Sequence, residues 1–109
     1  MLGEFEYVLI TAAAGLGENA YGVAIREEIK ATLERKCSMG ALYTTMDRLE
    51  EKGLLKTWVG EATPQRGGRG KRMVRVTAQG VRAAKEFYDA VLRVSRGASW
   101  AEQRMESTL

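Results

Sequence analysis

A group of small, hydroxylated, aromatic and cationic residues lies between Ser38 and Leu55, along one helical pattern. Its members are Ser38, Gly40, Tyr43, Thr44, Thr45 and Arg48. Hydroxyl groups can bond to phosphate oxygens or base edges, and an arginine can reach a guanine or a phosphate. Such a surface favours entry into a DNA groove. The alternative is an ordinary exposed helix in which Tyr43 packs partly into the core.

The same stretch predicts the helix that would carry these groups. Leu42, Met46 and Leu49 recur at intervals of four and three residues, which gives one apolar stripe of an α-helix. The Ser38 hydroxyl can accept a hydrogen bond from a first-turn N–H, and Gly53 suits a left-handed residue at the C-terminus. We interpret the stretch as a recognition helix that the rest of the chain presents.

A second group of charges follows this helix. Gln65 to Arg75 contains five cations and no anion, although the whole chain has a net charge of only +3. Two segments with a period of two, Leu55–Gly60 and Lys71–Thr77, flank a loop that contains the only proline, which predicts a two-stranded hairpin. A basic hairpin after a recognition helix is expected to act as a wing on the phosphate backbone. The predicted wing contacts are Arg66, Arg69, Lys71 and Arg72. A solvated hairpin edge is the alternative.

The other elements complete a helix-turn-helix pattern. Residues 2–14 predict a first helix with an apolar stripe of Leu2, Phe5, Leu9 and Ala12. Asn19 is a suitable N-cap for a second helix from Ala20 to about Arg35, and Thr77 can cap a last helix from Ala78 to about Arg96. The predicted fold class is α+β and mainly α. It is a winged helix-turn-helix of three helices and a two-stranded wing over residues 1–77. A C-terminal dimerisation helix follows over 78–96, and 97–109 form a tail that is either frayed or packed on a partner subunit.

The composition gives little support to other classes of protein. There is one cysteine, Cys37, and no histidine, and no motif places a nucleophile beside a base, so we predict neither an enzyme nor a metal or cofactor site. Cys37 is either structural or a redox-sensitive thiol. We find no signal peptide and no membrane-spanning segment, and a cytoplasmic location is expected.

Three runs of sequence resemble the PadR family of transcriptional regulators. They are YGVAIREEI (21–29), MGALYTTMDRLEEKGLL (39–55) and RGGRGKRMVRVTAQGVRAAKEF (66–87), and the resemblance covers about residues 2–96. It implies a homodimeric repressor that binds an inverted-repeat operator, which a small aromatic ligand releases in some members. The short C-terminal segment is similar to that of the subgroup with a single terminal helix.

The resemblance also implies an interface between the first and last helices. The last helix has an apolar stripe too broad for a small core to cover, which independently favours self-association. The predicted interface residues are Phe5, Leu9, Val81, Ala84, Phe87, Tyr88, Val91 and Val94. Trp100 is a predicted ligand contact near the two-fold axis. The alternative function is a winged-helix module that binds an acidic protein partner and does not recognise an operator.

Overall fold

This computed structural model describes residues 1–60 and 70–101, which form four α-helices and one two-stranded antiparallel sheet. The elements in order are α1 (Glu4–Leu16), α2 (Gly22–Leu33), α3 (Met39–Glu51), β1 (Leu55–Val59), β2 (Arg72–Val76) and α4 (Ala78–Ser95). The predicted fold class is therefore confirmed. None of the helices within the described residues is long and apolar enough to cross a membrane.

Both ends of α3 form as the sequence predicts. The Ser38 hydroxyl accepts a hydrogen bond from the Ala41 N–H at 3.0 Å, which satisfies one of the unpaired donors of the first turn. Gly53 has φ +80°, and its N–H donates to the Glu50 carbonyl at 2.9 Å. The chain leaves α3 through this left-handed residue and enters β1 two residues later.

The start of α2 differs from the prediction. Asn19 is not its N-cap, because Gly17–Asn19 forms a 3₁₀ turn and Tyr21 occupies the capping position. The Ala20 carbonyl accepts a hydrogen bond from the Val74 N–H at 2.9 Å, and Tyr21 forms an isolated β-bridge with Met73. Residues 20 and 21 therefore extend along β2, and α2 can begin only after them.

The hairpin pairs β1 with β2 from Leu55 opposite Val76 to Val59 opposite Arg72. Because side chains alternate across a strand, Leu55, Thr57, Val74 and Arg72 share one face of the sheet. Leu55 and Val74 are buried there, Thr57 lies directly opposite Val74, and Arg72 lies two residues nearer the wing loop than Val74. The sheet thus supports the core at one end and faces α3 at the other.

The face of α1 that is buried in the core differs in part from the face that the spacing predicts. The apolar residues buried in it are Leu2, Leu9, Ile10, Ala13, Ala20, Ile25, Ile29, Leu42, Met46, Leu49, Leu55 and Val74. Glu6 is also buried, whereas Phe5 and Ala12, which the predicted stripe includes, are only half-buried. The difference arises because α1 packs against several neighbours, so that its buried surface is wider than one stripe.

The first half of α4 is packed on the winged helix. The Thr77 hydroxyl accepts a hydrogen bond from the Gly80 N–H at 3.0 Å, as the predicted cap requires. Gly80 is buried directly against the Leu54 carbonyl. Further along the helix, the Phe87 ring stacks on Tyr7 of α1 with 4.7 Å between the ring centroids. These contacts fix the direction in which α4 leaves the domain.

Candidate nucleic-acid interface

The N-terminal half of α3 offers an uncharged polar surface. Ser38, Gly40 and Thr44 are exposed there, and Arg48 is exposed one turn further along. The partial positive charge of a helix N-terminus lies at the same end and favours phosphate oxygens. Four of the six predicted recognition residues are thus accessible on the helix.

Thr45 does not belong to this surface. Its side chain is 8% exposed, and its hydroxyl donates to the Ala41 carbonyl at 2.9 Å. The helical repeat of about 100° per residue places it beside Leu42 and Leu49, on the buried side of α3. The prediction that it contacts DNA is therefore wrong for this conformation.

Tyr43 is half-buried and packs between α2 and the sheet. A Cβ atom on Gly22 would lie 2.7 Å from its hydroxyl oxygen, so the absence of a side chain at Gly22 makes room for the ring. On its other side, the Arg72 guanidinium carbon lies 5.5 Å from the ring centroid. The ring supports α3 from the side, and only its exposed part is available to a ligand.

Carboxylates on α3 were not identified as part of the site from the sequence. Asp47 and Glu51 are exposed on the same side of the helix as Gly40 and Thr44, because the four residues are spaced by four, three and four. Glu50 lies to one side, where its carboxylate accepts hydrogen bonds from the Thr57 N–H and hydroxyl, each at 2.9 Å. The C-terminal half of the helix is consequently partly acidic.

Arg72 lies against these carboxylates, at the first position of β2. Its Nη2 donates to Asp47 Oδ1 at 2.5 Å and to the Thr57 hydroxyl at 3.3 Å, and it lies 3.7 Å from Glu50 Oε1. The Arg72 side chain is 27% exposed. The structure therefore places the side chain of this predicted wing residue against α3.

The other predicted wing cations are only partly described. Lys71 is half-buried, and its Nζ lies 4.2 Å from the centroid of the Tyr21 ring, within the range of a cation–π interaction. Arg66 and Arg69 lie outside the described residues. Near this end of the hairpin, the Gly60 N–H donates to the Lys71 carbonyl at 2.7 Å, which holds the two sides of the hairpin together where the wing loop begins.

An ion pair between the buried Glu6 and the exposed Lys52 joins the other end of α3 to α1. Glu6 accepts hydrogen bonds from the Gly3 N–H at 2.8 Å and from Lys52 Nζ at 3.0 Å. Burial by itself would raise the pKa of the Glu6 carboxyl group. The Gly3 N–H and the positive charges of Lys52 and Arg48 outweigh that effect and hold the pKa below its usual value. The charged form of Glu6 thus ties the start of α1 to the recognition helix.

The predicted dimer residues fall into three groups. Val81, Tyr88, Val91 and Val94 are exposed, Phe5, Ala84 and Phe87 are half-buried, and Leu9 is fully buried in the core of its own chain. Leu9 has no surface to offer a partner, so its assignment to the interface is wrong for this fold. Tyr7, which the sequence did not single out, stacks on Phe87 of the same chain.

A groove lies between α1 and α2, and Trp100 stands away from it as an exposed side chain. The groove has a volume of about 320 Å³, and most of its lining is apolar, with Val8, Leu16 and Leu33 among its residues. Trp100 is 73% exposed and forms no part of the lining. Within the part of the chain that the structure describes, the predicted ligand contact therefore lies outside this groove.

Comparison with known proteins identifies the family. The sequence profile of the transcriptional regulator PadR-like family matches residues 13–86, which is more than half of the chain. No match is found among curated proteins. The PadR-like transcriptional regulator from Bacillus cereus strain ATCC 14579 is 18% identical, with a TM-score of 0.72 over 91% of each chain.

Two further solved structures share the fold. A PadR family transcriptional regulator from Eggerthella lenta DSM 2243 is 24% identical, with a TM-score of 0.68, over 90% of this chain and 85% of that chain. A winged-helix DNA-binding protein from STIV is 20% identical, with the same TM-score of 0.68, over 89% of this chain and 97% of its own. At these identities the likeness establishes the fold, and the profile match establishes the family. The chain therefore belongs to the PadR-like family of transcriptional regulators, which are winged-helix DNA-binding proteins and not enzymes.

Proposed function

We propose that this protein is a homodimeric repressor that binds an inverted-repeat operator through α3 and the wing. The observation that carries the proposal is the exposed, uncharged start of α3, where Ser38, Gly40 and Thr44 present small and hydroxylated groups beside Arg48. Small residues let a helix approach base edges closely, and hydroxyl and guanidinium groups can bond to those edges. Double-stranded DNA as a partner also agrees with the cytoplasmic location that the sequence suggests.

The distribution of charges suggests different roles for α3 and the wing. The start of α3 has no formal charge, so its contacts are suited to base edges, whereas the wing supplies the cations Arg66, Arg69 and Lys71. Contacts of cations with phosphates set affinity, and contacts with base edges set sequence preference. We therefore assign reading to the helix and sequence-independent attachment to the wing.

The dimer rests on the uncovered surface of α4. Tyr88, Val91, Leu92 and Val94 are 51%, 44%, 50% and 81% exposed, on a helix whose other half is packed on its own domain. Burying a fully exposed Val or Leu side chain is worth about 1.5–3 kcal/mol, so covering the exposed part of these side chains contributes roughly half of that or more each, which favours a second copy over solvent. Two antiparallel α4 helices would relate two α3 helices by a two-fold axis, as an inverted repeat requires.

A small aromatic effector is the remaining part of the proposal. Dimerisation through α1 and α4 would bring a second copy of Trp100 and of the α1–α2 groove into one assembly. A groove of about 320 Å³ is within the size range of small-molecule sites. A ligand bound there could shift the spacing of the two α3 helices and so release DNA.

Selection from a random duplex library tests operator recognition. The wild-type dimer should enrich an inverted repeat, with half-sites separated by about one DNA turn (~34 Å). A Thr44→Ala/Arg48→Ala variant should remain folded and dimeric and enrich no site. Enrichment of nothing by the wild type would refute operator recognition and favour the protein-interaction module.

Sedimentation tests the dimer separately. Val91→Asp should shift the protein toward monomer, because it places a charge in the proposed interface. Val23→Asp on α2 is the matched control, since Val23 is 49% exposed against 44% for Val91, and it should leave the dimer intact. A monomeric wild type, or equal behaviour of the two variants, would contradict the interface.

A further inference from the structure

Arg72 occupies a position in which its guanidinium group meets three residues at once. Asp47 and Glu50 approach it from α3, and Thr57 approaches it from β1. The guanidinium carbon also lies over the Tyr43 ring, 5.5 Å from its centroid. A planar group with several donors can satisfy such an arrangement, whereas a lysine ammonium cannot bond and stack in the same way.

This arrangement leaves Arg72 poorly suited to bind a phosphate. A contact with DNA would require it to exchange the Asp47 carboxylate for a phosphate oxygen. That exchange would leave Asp47 uncompensated on the face that approaches DNA, where its side chain is 66% exposed. Without Arg72, two carboxylates, those of Asp47 and Glu50, would repel the phosphate backbone.

We propose that Arg72 is a positioning residue that fixes the base of the wing on the recognition helix and neutralises the carboxylates of Asp47 and Glu50. It acts on DNA through those residues and is not a phosphate contact. This inference rests on the proposed function, since it concerns how the same DNA-binding surface is assembled. It separates Arg72 from the other cations of the basic segment, although the sequence places them in one group.

Salt dependence distinguishes the two roles. The affinity for a fluorescein-labelled, mixed-sequence duplex is measured against salt concentration for the wild type, Arg72→Gln and Arg72→Lys. Loss of a phosphate contact lowers the slope of log K against log salt by about 0.9. For a positioning residue, the slope of Arg72→Gln stays near the wild-type value while the affinity falls. Arg72→Lys should also lose affinity, although a lysine would serve as a phosphate contact.

Arg75→Gln is the matched control for the change in net charge. Arg75 is exposed on the same strand, and no carboxylate lies within ion-pair distance of it in the described part of the chain. It should lose less affinity than Arg72→Gln. Equal losses of affinity would mean that Arg72 acts only through its positive charge, and they would overturn the proposal.

A double-mutant cycle then tests whether Arg72 acts through Asp47. Asp47→Asn removes a negative charge and should raise affinity in both backgrounds. The gain should be about threefold larger in Arg72→Gln than in the wild type, because Asp47 has lost its partner there. Equal gains in the two backgrounds, together with a reduced slope for Arg72→Gln, would show that Arg72 is an independent phosphate contact and overturn the proposal.

The four proteins of this cycle, which are the wild type, Arg72→Gln, Asp47→Asn and the double variant, also separate this inference from the proposed function. If the wild type shows no salt-dependent binding to duplex DNA, the proposed function fails. Urea unfolding of the four proteins then tests the contact between Arg72 and Asp47 without DNA. Coupled residues deviate from additive changes in the free energy of unfolding. A measurable coupling supports the attachment of the wing to α3, and strictly additive changes contradict it.

Discussion

Gly80→Ala should destabilise the protein by displacing α4 from the winged helix. Gly80 lies in the first turn of α4, and its N–H donates to the Thr77 hydroxyl. A Cβ atom at this position would lie 2.2 Å from the Leu54 carbonyl oxygen and 2.8 Å from Val76 Cγ1. The first of these atoms belongs to the backbone of the turn between α3 and β1, so it cannot move aside as the end of a flexible side chain could.

The size of the effect follows from the space available. Non-bonded carbon and oxygen atoms approach comfortably to roughly 3.5 Å, so α4 or the turn must shift by about 1 Å. Inserting a methyl group into such a contact costs about 1–3 kcal/mol. Replacing glycine by alanine in a helix gains at most about 1 kcal/mol, and less in the first turn. We therefore expect a net loss of about 1–2 kcal/mol in the free energy of unfolding, or roughly 4–16 °C in Tm.

Gly15→Ala is the control, because nothing lies within 4 Å of a Cβ built there, near the end of α1. It should leave stability unchanged or raise it by up to about 1 kcal/mol. Both variants are followed by urea unfolding monitored by circular dichroism, at a fixed protein concentration so that any dimer contributes equally. A Gly80→Ala protein as stable as Gly15→Ala would refute the close packing of α4 on the Leu54 turn.

Substitutions at three further positions test other contacts. Glu6→Gln should destabilise near neutral pH but not in acid, since the lowered pKa makes the contribution of Glu6 present above its unfolded-state pKa and lost as the pH falls through its folded-state pKa. A deficit that is independent of pH would count against the ion pair with Lys52. Ser38→Ala should cost about 1 kcal/mol in urea unfolding through loss of the N-cap, whereas Ser38→Gly should cost less; equal costs would contradict the cap. Gly22→Ala should destabilise by about 1 kcal/mol because its methyl group would meet the Tyr43 hydroxyl, and a gain in stability would contradict that contact.

Periodicity and local end signals made most of the fold predictable. The stripe of Leu42, Met46 and Leu49, the period of two on either side of the wing, and the cap residues Ser38 and Thr77 all depend on neighbours along the chain. The prediction at Asn19 failed because its local preference to cap a helix competes with hydrogen bonds that residues 20 and 21 make to β2. Such a bridge cannot be recognised from the local sequence.

The site was less predictable, because residue types show which groups can bind and not which partners occupy them. Arg72 meets Asp47 across 25 positions of the chain, and Lys52 meets Glu6 across 46. Neither pairing has a sequence signal without the fold. Thr45 shows a second difficulty, since its hydroxyl suggested a binding role whereas its place on the helix buries it. In both cases position in the fold determines the role.

The most direct test of the central assignment is a comparison of affinities for the selected duplex and a scrambled duplex at one salt concentration. Wild-type protein should prefer the selected sequence by about 1,000-fold or more. Thr44→Ala/Arg48→Ala should remove most of this preference while keeping the affinity for scrambled DNA. Arg66→Gln/Arg69→Gln should weaken both affinities and preserve their ratio. An unchanged ratio in the α3 variant would contradict the proposal that α3 reads the sequence.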